Sequence, residues 1–151
     1  MYLAVGFQLA LWEPITIPSI VDICFSKSCG IPDTRNEFLY ITGNDKEVNN
    51  SKQVSQYGPE GFIADLPELI TGRWDHACAG YYDDMDNFVL LVAGGIPDYT
   101  TSPMPNEPTR STEIFEVGVS SQWTEVSLLP HRKMGPRATT LNNVIYLTGQ
   151  E

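Results

Sequence analysis

The sequence predicts an all-β fold built from repeated antiparallel sheets, and three observations lead to this prediction. Apolar residues do not recur at the three-and-four spacing of an amphipathic helix over any long window. Short apolar runs are instead separated by Gly, Pro, Asn and Asp, which is typical of strands joined by tight turns. Finally, glycines follow three such runs at Gly43, Gly94 and Gly149, and these are 51 and 55 residues apart.

The run before each glycine predicts a strand that is buried on both faces. The runs cover residues 38–41, 88–93 and 144–147. Continuous apolar runs of this length are typical of strands with no solvent-facing side. Each run starts after turn-forming residues, such as Asn142-Asn143 before the third. Gly94-Gly95 permits a close approach of two backbones that a Cβ atom would block.

Two further strands are predicted after the glycines of the first two units. These strands lie at 54–57, 62–64, 111–117 and 123–126. Each fourth strand ends in Leu-Pro, at Pro67 and Pro130, because proline has no N–H with which to continue the pairing. The predicted units cover about 29–72, 73–136 and 137–151, the last of them incomplete.

This ordered set of features resembles the kelch family of repeats over roughly residues 29–151. An interval near 50 residues is that of one kelch blade, and the stretch from Arg73 through Gly94-Gly95 and Trp123 to Pro130 is similar to one complete repeat. The resemblance implies a partial kelch-type β-propeller of about two to three four-stranded antiparallel blades, each covering the apolar face of the next. It assigns structural positions to Gly43, Gly94, Gly95, Trp123 and Gly149.

The pattern also departs from that of a closed ring of repeats. The first unit has Phe62 where the second has Trp123, and Asn44 follows Gly43 in place of a second glycine. A propeller closes with typically 4 to 8 blades, whereas 151 residues at about 50 per blade allow at most three. Since an open arc exposes sheet faces and edges, we expect a fragment of a longer protein, a truncated gene model or part of an oligomeric ring.

Residues 1–28 are predicted to form a separate N-terminal segment. Its start, MYLAVGFQLALW, resembles the core of a signal peptide, but no basic residue precedes it and Glu13-Pro14 follows in place of a cleavage site. A secretory signal and a buried strand both stay open. No run approaches the roughly 20 apolar residues of a membrane span. A cytoplasmic location is slightly favoured over secretion.

The number and the positions of the charged residues indicate which partners the chain can bind. With 19 acidic and 9 basic side chains the net charge is −10, which disfavours non-specific nucleic-acid binding. In an antiparallel meander the loops after strands two and four emerge on the same side, and five basic residues fall in these loops. They are Arg73, Arg110, Arg132, Lys133 and Arg137, and the proline-rich loop 96–108 adds Tyr99.

We hypothesise that this face binds an acidic peptide segment. The planar guanidinium of arginine pairs with carboxylates through two parallel hydrogen bonds, which suits such a partner. The alternative is that the basic residues are solvated turn residues, with Arg73 and Arg137 donating internal hydrogen bonds between units.

No catalytic residue, metal site or cofactor is predicted. His76 is interpreted as a packed, hydrogen-bonded ring and His131 as a solvated turn residue. The spacing Cys24-x4-Cys29 lacks the second close pair of a zinc site. A Cys24–Cys29 disulfide stays open for a secreted protein, and Cys78 is interpreted as a small buried strand residue.

Two further motifs have an ordinary structural interpretation. The acidic run at residues 83–86 lacks the glycine and the distal glutamate of a calcium loop, and is interpreted as a solvated hairpin turn. Asn49-Asn50-Ser51 is a glycosylation sequon, which matters only in a secretory compartment.

The resemblance to kelch repeats implies a non-enzymatic scaffold for protein–protein interaction. Fold alone does not determine function, so two alternatives stay open. One is an extracellular adhesion or receptor segment. The other is a propeller domain similar to those of copper oxidases, for which His76 and His131 alone supply too few ligands.

Overall fold

A computed structural model describes residues 28–43, 51–97 and 107–150 of the chain. Within these ranges the chain forms twelve β-strands and no helix, which confirms the all-β fold class. The predictions for residues 1–27, for Asn49 and for Tyr99 lie outside the described residues.

The first sheet is an antiparallel meander of four strands. They are Cys29–Asp33 (β1), Phe38–Thr42 (β2), Val54–Gly58 (β3) and Gly61–Leu66 (β4), paired in that order. The turn between β1 and β2 is closed by Asp33, whose Oδ1 accepts the backbone N–H groups of Arg35 at 3.1 Å and Asn36 at 3.3 Å. A short carboxylate that bonds the following backbone favours a tight turn here.

The second sheet repeats this order. Arg73–Trp74 (β5) precedes it and pairs with Ile96–Pro97 (β8), and the sheet itself contains Ala77–Tyr82 (β6), Phe88–Ala93 (β7), Thr112–Glu116 (β9) and Thr124–Glu125 (β10). Its first turn uses the same device as the first sheet. Asp83 Oδ1 accepts the N–H groups of Met85 at 2.9 Å and Asn87 at 2.8 Å, which agrees with the interpretation of this acidic run as a hairpin turn.

The third unit is a hairpin of Met134–Leu141 (β11) and Val144–Gln150 (β12). Its two turn residues, Asn142 and Asn143, have φ values of 51° and 61°, as a tight hairpin turn requires. The prediction that residues 144–147 form a strand buried on both faces is wrong for this unit. Val144 and Tyr146 are about half exposed, because among the described residues β12 pairs with β11 alone.

The first strands of the three units lie side by side, with β6 in contact with both β1 and β11. Tyr82 at the end of β6 donates a hydrogen bond to Asp33 at the end of β1, with 2.5 Å between the oxygens. A Cβ atom on Gly80 would lie 2.8 Å from Ile31 of β1, so only glycine allows this approach. The two strands therefore run in the same direction, with equivalent residues facing one another.

The main core lies between the first two sheets. It is formed by buried side chains of both, namely Ile31, Tyr40, Val54 and Leu69 from the first and Cys78, Phe88, Leu90, Val92, Phe115 and Trp123 from the second. Each sheet thus covers an apolar face of its neighbour, as the repeat pattern predicts. The arrangement is compatible with the start of a propeller, and the kelch identity stays a prediction.

Candidate partner-binding face

Loops after the second and fourth strands of the sheets meet at one end of the molecule. We call this end the loop face and define it by the described loops 51–53, 67–72, 107–111 and 126–133. Leu69 N–H donates to Lys52 O at 2.9 Å in the first unit, and Leu129 N–H donates to Arg110 O at 2.8 Å in the second. The second bond holds Arg110 on this face. The ion pair of Arg132 with Glu107 and the bond from Gly95 N–H to Lys133 O bring the other two basic residues beside it.

Gly94-Gly95 follows β7 and contacts the loop face. Both residues have positive φ, 63° and 81°, and a Cβ atom on Gly95 would lie 2.7 Å from the carbonyl oxygen of Trp74. Gly95 N–H donates to Lys133 O at 3.1 Å. The pair therefore needs glycine for both its conformation and its contacts, as the sequence predicts. Gly43 also has a positive φ, of 73°, at the matching place in the first sheet.

Arg73 does not reach the surface, because its side chain is fully buried. It donates hydrogen bonds to the carbonyl oxygens of Gly94 and Ser111, both at 3.0 Å, and to the Ser111 hydroxyl at 2.7 Å. It also forms an ion pair with the buried Glu113. Its assignment to the partner-binding face is therefore corrected to the alternative interpretation, in which it donates internal hydrogen bonds.

Glu113 completes a buried network around this guanidinium. Its two carboxylate oxygens accept the backbone N–H groups of Ile70 at 2.7 Å and Thr71 at 3.1 Å. Ile70 and Thr71 follow the first sheet, whereas Glu113 lies in β9 of the second, so the network ties the two sheets together. Burial lowers the pKa of Arg73, and the charge of Glu113 opposes that shift.

Three arginines remain exposed on or beside the loop face. Arg110 donates from Nε to Leu129 O at 2.5 Å, and Arg132 pairs with Glu107. Arg137 has a side chain that is about three-quarters exposed, and it donates to the carbonyl oxygen of Pro136 at 2.8 Å and lies 3.6 Å from Asp75 of the preceding unit. Lys133 is half-buried and donates to Gly149 O at 3.0 Å. Arginine side chains anchored at one atom present their other donors to a partner.

Trp123 holds the second unit against the first. Its side chain is buried, its ring stacks on Phe115 with centroids 5.5 Å apart, and its Nε1–H donates to Pro67 O at 2.8 Å. Pro67 follows the last strand of the first sheet, so this bond crosses between units. The structural role predicted for Trp123 fits these contacts, while Phe62, its counterpart in the first unit, is 54% exposed.

His76 is a buried neutral ring, as its interpretation predicts. Its Nε2 lies 2.8 Å from the hydroxyl of Thr42 on the neighbouring sheet, and its Nδ1 has no hydrogen-bond partner among the described residues. Burial, together with the positive charge of Arg73, lowers the pKa of His76 to about 3. The ring is therefore uncharged at neutral pH and unsuited to be a general base. His131 is exposed.

The cysteine expectation needs correction. Cys29 forms a disulfide with Cys78, with their Cα atoms 6.0 Å apart, and not with Cys24. Cys78 is buried in a strand as predicted. The sequence left only the near pair Cys24–Cys29 open as a disulfide, but the fold brings together cysteines that are 49 residues apart. The repeat interval near 50 residues was the signal that could have found this pair.

A second feature that sequence reasoning missed is a cleft that runs along the first strands of the three units. It has a volume of about 430 Å³ and lies between β1, β6 and β11. Arg35 stands at its edge with Cζ 3.7 Å from the centroid of the Tyr82 ring. Burial and the hydrogen bond to Asp33 raise the pKa of Tyr82 to about 12. Arg35, Asp33 and Tyr82 contact one another there.

The described residues contain no group of three or more His, Cys, Asp or Glu side chains that could hold a metal ion. They also contain no helix long and apolar enough to cross a membrane.

Comparison with known proteins identifies no relative. No family model matches the chain, and no curated protein matches it at the significance required. The resemblance to kelch repeats therefore stays a prediction from the residues that carry it.

Proposed function

We propose that this chain is a non-enzymatic protein-interaction module that binds an acidic peptide segment at the loop face. The observation that carries the proposal is the position of Arg110, Arg132 and Lys133 on one face, with the exposed Arg137 beside it. This cluster lies on a chain whose net charge is −10.

The geometry of these side chains suits carboxylate recognition. Arg132 already forms an exposed ion pair with Glu107, so the guanidinium is accessible to a carboxylate in this conformation. An exposed pair of this kind contributes only about 0–1 kcal/mol, so a carboxylate of a partner can replace Glu107 at little cost. Arg110 is anchored to Leu129 O through Nε alone.

The overall negative charge does not prevent this binding. Charges farther apart than a Debye length of roughly 8 Å are largely screened at physiological ionic strength, whereas the arginines would contact the peptide directly. The net charge instead selects against long acidic polymers such as nucleic acids, which extend over the acidic remainder of the surface. A short acidic segment within a larger partner meets both conditions.

Charge reversal on the loop face tests the proposal. Binding of a fluorescent poly-Glu peptide is measured for the wild type, for Arg132→Glu and for Arg110→Glu, with a poly-Gln peptide of the same length as the ligand control. We expect each reversal to raise Kd at least tenfold, or about 1.4 kcal/mol, and added salt to weaken wild-type binding.

The matched control variant is Arg35→Glu. Arg35 is exposed at the opposite end of the molecule, next to Asp86, and its reversal changes the net charge by the same amount. Equal loss of binding in Arg35→Glu and Arg132→Glu would show that only net charge matters. Equal binding of both peptides by the wild type, or of poly-Glu by all folded variants, would also contradict the proposal.

A further inference from the structure

The first strands of the two complete sheets are joined at matching positions. Cys29 begins β1 and is bonded to Cys78 of β6, and Asp33 at the other end of β1 accepts the hydrogen bond of Tyr82. Both pairs are 49 residues apart. The two strands therefore lie in parallel with a constant offset of one repeat, and the disulfide links one unit to the next.

Within the part of the chain that the structure describes, the backbone of β1 is paired on one side only. It pairs with β2 through a backbone ladder, but towards β6 it has side-chain contacts, such as Ile31 against Gly80. The hydrogen bond between Tyr82 and Asp33 joins the strands at the end far from Cys29. The disulfide is thus the covalent attachment of the first sheet to the second at the end near the loop face.

We propose that this chain matures in an oxidising compartment, where the Cys29–Cys78 disulfide locks the first sheet onto the second. Structural disulfides form and persist in such compartments, whereas cytosolic thiols are kept reduced. The proposal reverses the slight preference for the cytoplasm that the sequence alone supports. It does not depend on the partner bound at the loop face.

The bond forms by thiol–disulfide exchange with a small or protein disulfide as oxidant. The thiolate of one cysteine attacks a sulfur of the oxidant, so that a mixed disulfide forms and one thiolate leaves. The thiolate of the other cysteine then attacks the first cysteine's sulfur and expels the second thiolate. Two protein thiols lose two protons and two electrons in total, and the oxidant's disulfide is reduced to two thiols.

The first measurement is the pairing itself. The chain is refolded in a glutathione buffer with the thiol-to-disulfide ratio of the secretory pathway, free thiols are alkylated, and the peptides are mapped by mass spectrometry without reduction. We expect a Cys29–Cys78 cross-link and alkylated Cys24. A cross-link between Cys24 and either other cysteine, or three alkylated thiols, would overturn the proposal.

The second measurement tests the lock by comparing urea unfolding with and without reductant. Because the cross-link closes a loop of about 49 residues, we expect reduction to raise the unfolding equilibrium constant roughly 10²- to 10³-fold. The double variant Cys29→Ser/Cys78→Ser should match the reduced wild type in both conditions. The control Cys24→Ser should keep the full response to reductant.

Equal stability of the oxidised and reduced wild type would show that the bond does not lock the sheets. A response to reductant that persists in Cys29→Ser/Cys78→Ser would assign the effect to another thiol. Either result overturns the proposal, and neither depends on peptide binding at the loop face.

Discussion

Two arginine–glutamate pairs lie in neighbouring parts of this molecule and have opposite roles. Arg73 and Glu113 are buried between the sheets, with side chains 0% and 1% exposed. Arg132 and Glu107 lie on the loop face, with side chains 57% and 47% exposed. The same two residue types thus hold the fold together in one place and lie exposed to solvent in the other, where we propose that a partner binds.

The difference comes from the surroundings of each pair. Arg73 donates to backbone and side-chain oxygens on several sides, and Glu113 accepts two backbone N–H groups. Removing a charge from water is costly, and only a fully bonded pair offsets that cost. The exposed pair keeps its hydration, so it can exchange partners. Burial therefore distinguishes the ion pair that holds the sheets together from the exposed pair that can exchange partners.

The largest expected effect comes from breaking the buried pair. Glu113→Gln leaves the buried charge of Arg73 without its counterion, and we expect a loss of about 3–5 kcal/mol in the free energy of unfolding. Glu107→Gln makes the same chemical change in the exposed pair and should cost about 0–1 kcal/mol. Urea unfolding of both variants measures the two losses in the free energy of unfolding. Losses of equal size would show that burial is not what distinguishes the pairs.

The second effect is a loss of stability on acidification, which we assign to His76. Its pKa is about 3 in the folded chain and about 6.5 when unfolded. The unfolded chain therefore binds the proton more tightly than the folded chain. The stabilisation that depends on a neutral His76 is fully present above pH 6.5, and the free energy of unfolding falls as the pH is lowered towards 3. By pH 4 the expected loss is about 3 kcal/mol.

The variant His76→Gln separates this effect from the titration of carboxylates. Glutamine can keep a hydrogen bond to Thr42, the contact that Nε2 makes at 2.8 Å, but it does not titrate. We expect urea unfolding of the variant to depend less on pH than that of the wild type between pH 6.5 and 4. Parallel pH profiles for the two proteins would show that His76 is not the group responsible.

Much of the fold follows from local chemistry. Asn142-Asn143 adopts the positive φ values of a tight hairpin turn, and Gly94 and Gly95 have the positive φ values of 63° and 81° that glycine adopts readily. These properties depend on residues close in sequence or on one residue's own conformational range. A single chain therefore predicts them well.

The site was harder to predict because it depends on contacts between distant residues. Arg73 is buried since Glu113, 40 residues later, lies opposite it. Arginine is usually exposed, so the residue type alone predicts an exposed side chain at position 73. The partner of Cys29 likewise depends on which strands become neighbours. Only the repeat interval carries that information, since it makes residue 29 equivalent to residue 78.

The smallest effect compares the two aromatic residues that open the fourth strands. Trp123 is buried and bonded through Nε1–H to Pro67 O at 2.8 Å, whereas Phe62 is 54% exposed and meets Tyr57 edge-on with centroids 5.7 Å apart. Trp123→Phe should cost about 1–2 kcal/mol, because it leaves the part-buried carbonyl oxygen of Pro67 without its donor. Phe62→Leu should cost only about 0.5 kcal/mol, as surface changes usually do.

Thermal and urea unfolding of these two variants decide whether equivalent places in the repeat carry equivalent roles. The physical reason for a difference is that Trp123 has the first sheet to pack against, while Phe62 has no such sheet among the described residues. Losses of similar size would mean that the Phe62 side also carries a stabilising contact. In that case Phe62 would stabilise the first unit as much as Trp123 stabilises the second, and the difference in burial between the two side chains would not predict their roles.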